Sequence, residues 1–400
     1  MKIIVNTSTF KQSSNDPAPN FINKLVEEFS EKNNYYILFP RKTKDLISKS
    51  YSKNISLLPY SYIFPKGLSN LSEYGLYPSI KRNKLNVIKV VLLIFFQLIN
   101  LLYYSIKLRP DIIYSHWLFP QGIIGAIVGK LLNIKTVFTS HGSDVKLLNN
   151  SGLIGKLIIN FTINNSESFT AVSKKSLNIL KTSFRNNSDD LNYKIIPMGV
   201  DEVFFNKTYE LRNKENRVTN FLYFGRMIGY KGVDLIIEAA LKLKENPEIK
   251  YHINLIGSGI DVNKIRNKIK TYNLQNYIQL IDFVEKKELI KFIDNSEFVI
   301  IPSKITKNEY EAGPLSLVEA MARKKVCIVS NSIGFIDFIN NDNAIIFKSN
   351  DVDDLFNKML EAMSLTEKKR TEIGNEAFKI SEDFKYKIVS KKTEEFLFLP

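Results

Sequence analysis

Residues 298–322 read FVIIPSKITKNEYEAGPLSLVEAMA, and this stretch sets the frame for the whole chain. It opens on an unbroken apolar run, Phe298 to Ile301, with the length and composition of a strand buried on both faces. It closes on a helical pattern that begins near Leu315. Gly313 provides a tight turn before it, and Pro314 suits the first helical position. Strand, turn and helix place Glu311 on the loop and Glu319, after seven intervening residues, inside the helix. Between the two carboxylates lie the free N–H groups of a helix N-terminus, which attract anions.

The same alternation of strand and helix runs outward in both directions, the pattern of parallel sheets covered on both faces. Expected strands in the first half are Ile3–Val5, Tyr36–Leu38, Asp111–Tyr114, Thr136–Thr139, Ser168–Val172 and Lys194–Ile196. A second series comprises Asn220–Phe224, His252–Ile256, Ile278–Ile281, Phe298–Ile301, Val326–Val329 and Ala344–Phe347. Helical patterns lie between several of them, such as Pro19 to Phe29, Gln121 to Leu132 and Val233 to Leu243. A polar stretch, Asn206 to Val218, separates the series and reads as a linker. A chain of 400 residues, at about 150 per domain, is long enough for two domains. The expected division is 1–205 and 206–380, followed by a helical segment over 381–400. Doubly wound domains place ligands at the carboxyl ends of their strands, here facing an interdomain cleft.

Composition bounds the chemistry. With 44% hydrophobic and 24% charged residues, the chain is an ordinary globular protein. A single cysteine, Cys327, rules out an intramolecular disulfide framework and fits a reducing cytosol. It sits in the apolar run Val326 to Val329 and reads as a core residue. Three histidines without metal-type spacing argue against a zinc site. The N-terminal MKIIVNTSTF is a strand pattern rather than a signal peptide. The net charge is +15, and its excess is concentrated between Arg41 and Arg109, where only Asp45 and Glu73 oppose a run of lysines. Such an excess meets nucleic acid or an anionic membrane surface, or simply keeps the chain soluble. No nucleic-acid module accompanies it, which favours membrane. The most hydrophobic segment, Val87 to Tyr104, is near the length of a span but is interrupted by Lys89, Gln97 and Asn100. The expectation is a core helix first, membrane-surface attachment second and a true span third.

Read as residues alone, Glu311 and Glu319 are ordinary solvated acids. Arg226 and Lys231, five apart on the loop after Phe224, are a solvated basic loop. His141, in TSHGSDV at the end of a strand, is a packed or surface histidine. Another reading suits each set. A carboxylate on the helix and one on the loop fit the hydroxyls of a ribose and of a sugar. An arginine fork and a mobile lysine fit two linked phosphates. Together they describe a sugar-nucleotide site.

Context favours that second reading. EAGPLSLVEAMA resembles the E-x7-E signature of retaining family-4 glycosyltransferases, and FGRMIGYKGVDLIIEAA resembles their diphosphate-binding segment. PDIIYSHWLFPQG and HGSDV resemble their acceptor-side domain. The resemblance covers nearly the whole chain and implies a GT-B fold of two Rossmann-like doubly wound domains. It implies sugar transfer from a nucleotide diphosphate sugar, by UDP or GDP, to an acceptor hydroxyl with retention, without a metal or other cofactor. In that frame Glu311 orients the donor sugar, Glu319 binds the ribose, and Arg226 with Lys231 holds the diphosphate. His141 contacts the donor sugar or its phosphate. Gly257, Gly313, Pro314, Leu315 and Ser316 approach the nucleotide, while Asn15, Asp16, His116 and Asp144 line the acceptor side. Ser173 and the run Ile196 to Asp201 match the family as architecture. The final helix crosses back to cover the first domain.

Two departures stand out: Ser13 to Pro19 lacks the glycine-rich loop of many relatives, and Asp282 stands where they often carry glycine. Implied partners are the donor, a glycan or lipid-linked acceptor and the inner-membrane surface, but no nucleic acid. The implied place is the cytoplasm or the cytoplasmic face of the membrane, in surface-polysaccharide assembly. A sugar-nucleotide epimerase, a phosphorylase and a noncatalytic nucleotide-sugar-binding subunit share the architecture and are the competing readings.

Overall fold

The computed structural model describes residues 1–13, 16, 19–42, 51–64, 71, 83, 86–184, 191–206, 218–306 and 310–399. Asn15, most of the 206–218 linker, and Lys44, Lys49, Lys66, Lys81, Arg82 and Lys84 of the basic stretch lie outside the described residues. Two compact units form, one from Met1–Gly199 with Tyr386–Pro400, the other from Val200–Lys385. The chain therefore changes unit at Gly199 rather than near Asn206, and returns at Tyr386 rather than at 381.

In the first unit the strands are β1 (Lys2–Asn6), β2 (Asn34–Pro40), β3 (Ile55–Tyr60), β4 (Ile112–His116), β5 (Lys135–Ser140), β6 (Ser168–Ala171) and β7 (Tyr193–Ile195). They run parallel in the order β3-β2-β1-β4-β5-β6-β7. Strand β3 is absent from the sequence expectation. Ser56 and Pro59 break its apolar run, and Pro59 is tolerated because β3 is an edge. The helices are α1 (Phe21–Glu27), α2 (Asn86–Leu108), α3 (Ile123–Leu132), α4 (Ser143–Asn149), α5 (Gly152–Asn164) and α6 (Lys174–Ser183). Alternate residues of β1 face opposite ways. Ile4 packs with Leu93 and Leu101 of α2, whereas Ile3 and Val5 pack beneath α1.

Helix α2 is not the core helix expected of so apolar a segment. It buries one stripe, Val90, Leu93, Gln97, Leu101 and Ser105, and leaves the opposite side in solvent. Gln97, which reads as an interruption, anchors the buried stripe. Its amide donates to Asn6 Oδ1 at 2.7 Å, and its Oε1 accepts from Gln121 at 3.3 Å.

The second unit carries β8 (Thr219–Phe224), β9 (Tyr251–Ile256), β10 (Ile278–Ile281), β11 (Phe298–Ile301), β12 (Val326–Ser330) and β13 (Ile345–Phe347). Their order is β10-β9-β8-β11-β12-β13, again parallel. Its helices are α7 (Val233–Lys244), α8 (Val262–Thr271), α9 (Lys286–Asn295), α10 (Leu315–Ala322), α11 (Val352–Ser364) and α12 (Glu367–Glu382). The β11 run is buried throughout and feeds two cores. Ile300 packs with Ile236 of α7, whereas Val299 and Ile301 pack with Leu317 and Met321 of α10. Cys327 shares the α10 core, where burial pushes its thiol up to about 12.

The helical segment expected over 381–400 is the end of one helix and the whole of another. Helix α12 ends at Glu382, and α13 (Tyr386–Leu397) belongs to the first unit. The break exists because Phe384 buries its ring and its carbonyl accepts from Val200 N–H at 2.7 Å. Within the first unit α13 docks on α1 through Val389, Phe396 and Leu397. Both oxygens of Glu394 accept from Ser30 N–H at 3.1 Å, and Glu394 also accepts from the Tyr35 hydroxyl.

Candidate functional site

In each sheet the winding direction reverses once, between β1 and β4 in the first unit and between β8 and β11 in the second. Carboxyl ends of the strands flanking such a reversal diverge and leave room for a ligand. In the second unit those ends are the loop after Phe224 and the segment after Ile301. Three of the sequence-selected residues, Arg226, Lys231 and Glu311, lie on these two connections.

Glycine makes the first loop possible. Gly225 and Gly257 take φ of 151° and 141°, and a Cβ on Gly257 would stand 2.0 Å from the Gly225 carbonyl oxygen. Gly257 thus owes its identity to the packing of the β9 loop on the β8 loop, an architectural reason beside the nucleotide contact expected of it. Gly232, at φ 72°, would push a Cβ to 1.9 Å from the Pro302 carbonyl oxygen. The two connections are further tied by Lys304, whose N–H donates to Tyr230 O at 2.7 Å and whose ammonium pairs with Asp234 at 2.5 Å. Gly313 lies against the Phe335 ring, 2.4 Å from where its Cβ would be.

On this frame Lys231 Nζ forms a close ion pair with Glu311 Oε2, the two side chains being 15% and 8% exposed. The cation expected to hold a diphosphate and the acid expected to hold a sugar are therefore direct partners. Arg226 is exposed, and its guanidinium donates to the Tyr230 hydroxyl at 2.9 Å. Tyr223, buried beneath the loop, donates its hydroxyl to the Arg226 carbonyl at 2.8 Å. Burial, with Glu311 and Tyr230 nearby, drives the Tyr223 phenol well above its usual range, so it remains a neutral donor.

Pro314 precedes α10 as its cap residue, and Leu315 and Ser316 open the helix. Glu319 is half-buried on α10. Burial pushes its carboxyl up to about 7, with Lys286 pulling down and Asp201 pushing up. Lys286 and Asp201 pair with each other at 2.8 Å.

In the first unit His141 follows β5, and its Nε2 lies 3.1 Å from Nδ1 of His116 at the end of β4. Phe21 and Trp117 pack on the His141 ring, with centroids 5.3 and 4.8 Å away. Burial lowers both histidines, His141 to about 3 and His116 well below its usual value with the neighbouring His141 adding to the effect, so both are neutral at pH 7. Neutral imidazoles share one proton between the facing nitrogens.

Asp144, expected on the acceptor side, is buried and hydrogen-bonded within the first unit. Its carboxylate accepts from Leu118 N–H at 2.6 Å, Val145 N–H at 3.0 Å and the Ser140 hydroxyl at 3.1 Å, which fastens the β5 loop to the turn after β4. Asp16 is likewise engaged, pairing with Lys42 at 2.8 Å and accepting from Gln12 N–H at 2.9 Å. Among the described residues no group of three or more His, Cys, Asp or Glu is arranged to hold a metal.

Residues 207–380 match the family Glycosyl transferases group 1, and residues 64–204 match Glycosyltransferase Family 4. Both halves of the chain match glycosyltransferase families. An uncharacterized glycosyltransferase of Methanocaldococcus jannaschii is 29% identical over 277 residues, 69% of this chain and 72% of that protein. HepE of Anabaena, solved in complex with UDP, has 14% identity and a TM-score of 0.70, with 99% of each chain covered. Sucrose-phosphate synthase of Thermosynechococcus elongatus has 14% identity and a TM-score of 0.73, covering 98% of this chain and 97% of its own. The fold is GT-B, with two Rossmann-like parallel-sheet domains.

The features around these residues that the sequence reading missed are the two tyrosines, the Lys286–Asp201 pair and the His116–His141 contact. Tyr223 and Tyr230 flank Arg226 in the glycosyltransferase segment itself, so their spacing held a signal. The Lys286–Asp201 pair joins residues 85 apart and had none.

Proposed function

We propose that the chain is a retaining, metal-independent glycosyltransferase that moves a sugar from a nucleotide diphosphate sugar to an acceptor hydroxyl. The observation that carries the reading is the meeting of the Arg226–Lys231 loop and Glu311 at the β8/β11 reversal. When the nucleoside diphosphate departs, negative charge grows on its phosphate oxygens. Arg226 and Lys231 stabilise that charge, which is the service a metal ion would otherwise perform. Glu311 orients the sugar hydroxyls and Glu319 accepts from the ribose. The leaving phosphate oxygen takes the acceptor proton, so no separate general base is required. UDP in HepE supports UDP as the donor nucleotide, with GDP as the other choice. The first unit takes the acceptor, a glycan or lipid-linked sugar of surface-polysaccharide assembly, and the lone buried thiol suits a cytoplasmic enzyme.

Screening nucleotide sugars for thermal stabilisation tests the reading first, because a donor that binds the native state alone raises the unfolding temperature. A stabilising donor should also yield a glycosylated product. Stabilisation with no turnover on any acceptor would leave a noncatalytic binding subunit, and no stabilisation by any nucleotide sugar overturns the donor site.

Glu319 adds a pH signature. Ionised, it accepts from both ribose hydroxyls; protonated, it loses acceptor capacity. The donor KM of the wild type is therefore expected to rise as pH falls through about 7. Glu319→Ala should raise that KM strongly and abolish its pH dependence. The stability sign is opposite, because the folded carboxyl is raised above its unfolded value of 4.5 and the native state binds more protons between the two. Stability declines as pH rises across that window, and Glu319→Gln should flatten the decline. Wild-type kinetics in Glu319→Ala would remove it from the ribose.

A further inference from the structure

Along one face of the first sheet, α2 packs on α3 and α3 packs on α5. The outer side of this helical layer is apolar. On α2 the residues Ile88, Val91, Phe95, Ile99, Tyr103 and Ile106 are exposed at helical spacing along the whole length, opposite the stripe anchored by Gln97. Helix α3 adds Ile127 and Leu131, and α5 adds Leu153, Ile154 and Leu157, with Leu131 68% and Ile154 69% exposed. The largest apolar patch on a typical soluble monomer is about 300–600 Å² and is often an interaction site. Three neighbouring helices with such outer faces call for a partner.

Charge identifies the partner. The three helices contain no Asp or Glu, and their only ionisable side chains of the basic kind are Lys89, Lys107, Lys130 and Lys156. Lys107 lies 5.7 Å from the centroid of the exposed Tyr103 ring. Lys130 of α3 lies 5.9 Å from the Phe161 ring of α5. Each ammonium thus borders the apolar surface, the arrangement in which a lysine lays its stem on apolar ground and keeps its head in a polar layer. A second copy docked about a twofold axis would set this lysine-bearing face against itself. A span is also ruled out for α2, because its inner stripe is committed to the sheet through Gln97 and Asn6.

We propose that this face seats on an anionic bilayer surface. The apolar ridge of α2, with the outer residues of α3 and α5, enters the boundary between headgroups and acyl chains, and the lysines meet the lipid phosphates. The proposal goes beyond the donor-site reading and rests on none of its residues.

Flotation with vesicles tests it without any nucleotide sugar. Wild-type protein is expected to float with phosphatidylcholine vesicles containing about one-third phosphatidylglycerol, and to be released by added salt. Phe95→Asp/Ile99→Asp and Lys130→Glu/Lys156→Glu should each weaken that binding by roughly tenfold or more. Their thermal melts should match the wild type because the replaced side chains are exposed. No flotation of the wild type, or flotation of both variants equal to that of the wild type, overturns the proposal. So does a stable dimer in gel filtration that both variants dissolve, since a second copy would then cover the face.

Discussion

Lys231→Ala is expected to lower donor kcat/KM by roughly two to three orders of magnitude, the cost of removing one fixed charge donor from a developing anion. The same substitution should lower stability. It leaves Glu311, 8% exposed, without the ammonium that compensates it. The stability loss should be about 1–3 kcal/mol, below the 3–5 kcal/mol of a fully buried pair, because the Lys231 side chain keeps some contact with solvent. The double variant Lys231→Ala/Glu311→Gln separates the two effects. It removes the stranded charge and should regain the stability, while turnover stays lost. Donor kinetics and urea unfolding on the wild type, Lys231→Ala, Glu311→Gln and the double variant complete the cycle. Unchanged kcat/KM in Lys231→Ala would remove the lysine from the diphosphate.

The largest stability effect is expected at Arg323, outside every motif. Its guanidinium grips Asp294 with two bonds, Nε to Oδ1 at 2.9 Å and Nη2 to Oδ2 at 2.6 Å, and Nη1 donates to the Asn206 carbonyl at 2.6 Å. The two side chains are 2% and 5% exposed. Arg323→Ala should cost about 3–5 kcal/mol, because a buried carboxylate is left unpaired and a backbone carbonyl loses its donor. Replacing both partners by apolar residues of similar size, Arg323→Met/Asp294→Leu, should recover much of the loss. Urea unfolding midpoints measure both. A wild-type midpoint for Arg323→Ala would show that the pair does not hold α9 to the end of α10.

Much of the fold was legible. In the second unit the interior runs Phe298–Ile301 and Val326–Val329 are unbroken and apolar, and they mark β11 and β12. A strand buried on both faces announces itself because nothing polar can interrupt it. Edge strand β3 could not be read that way, since an edge tolerates Ser56 and Pro59. The break at Phe384 was equally hidden. Its cause is a hydrogen bond to Val200, far away in sequence.

The candidate site divides along the same line. Local spacing put Glu311 on a loop, Glu319 on a helix, and Arg226 with Lys231 on one βα connection. Spacing could not reveal that Lys231 and Glu311 pair, that Asp144 is spent on backbone N–H groups, or that Asp16 belongs to Lys42. Nor could hydropathy tell which side of α2 meets the sheet. Sequence alone determined which residues could carry charge and which runs form strands and helices, because propensity and periodicity act locally. Only the tertiary structure decided which charges meet. Strand order brings β8 beside β11, and that adjacency depends on all the crossovers of the sheet together.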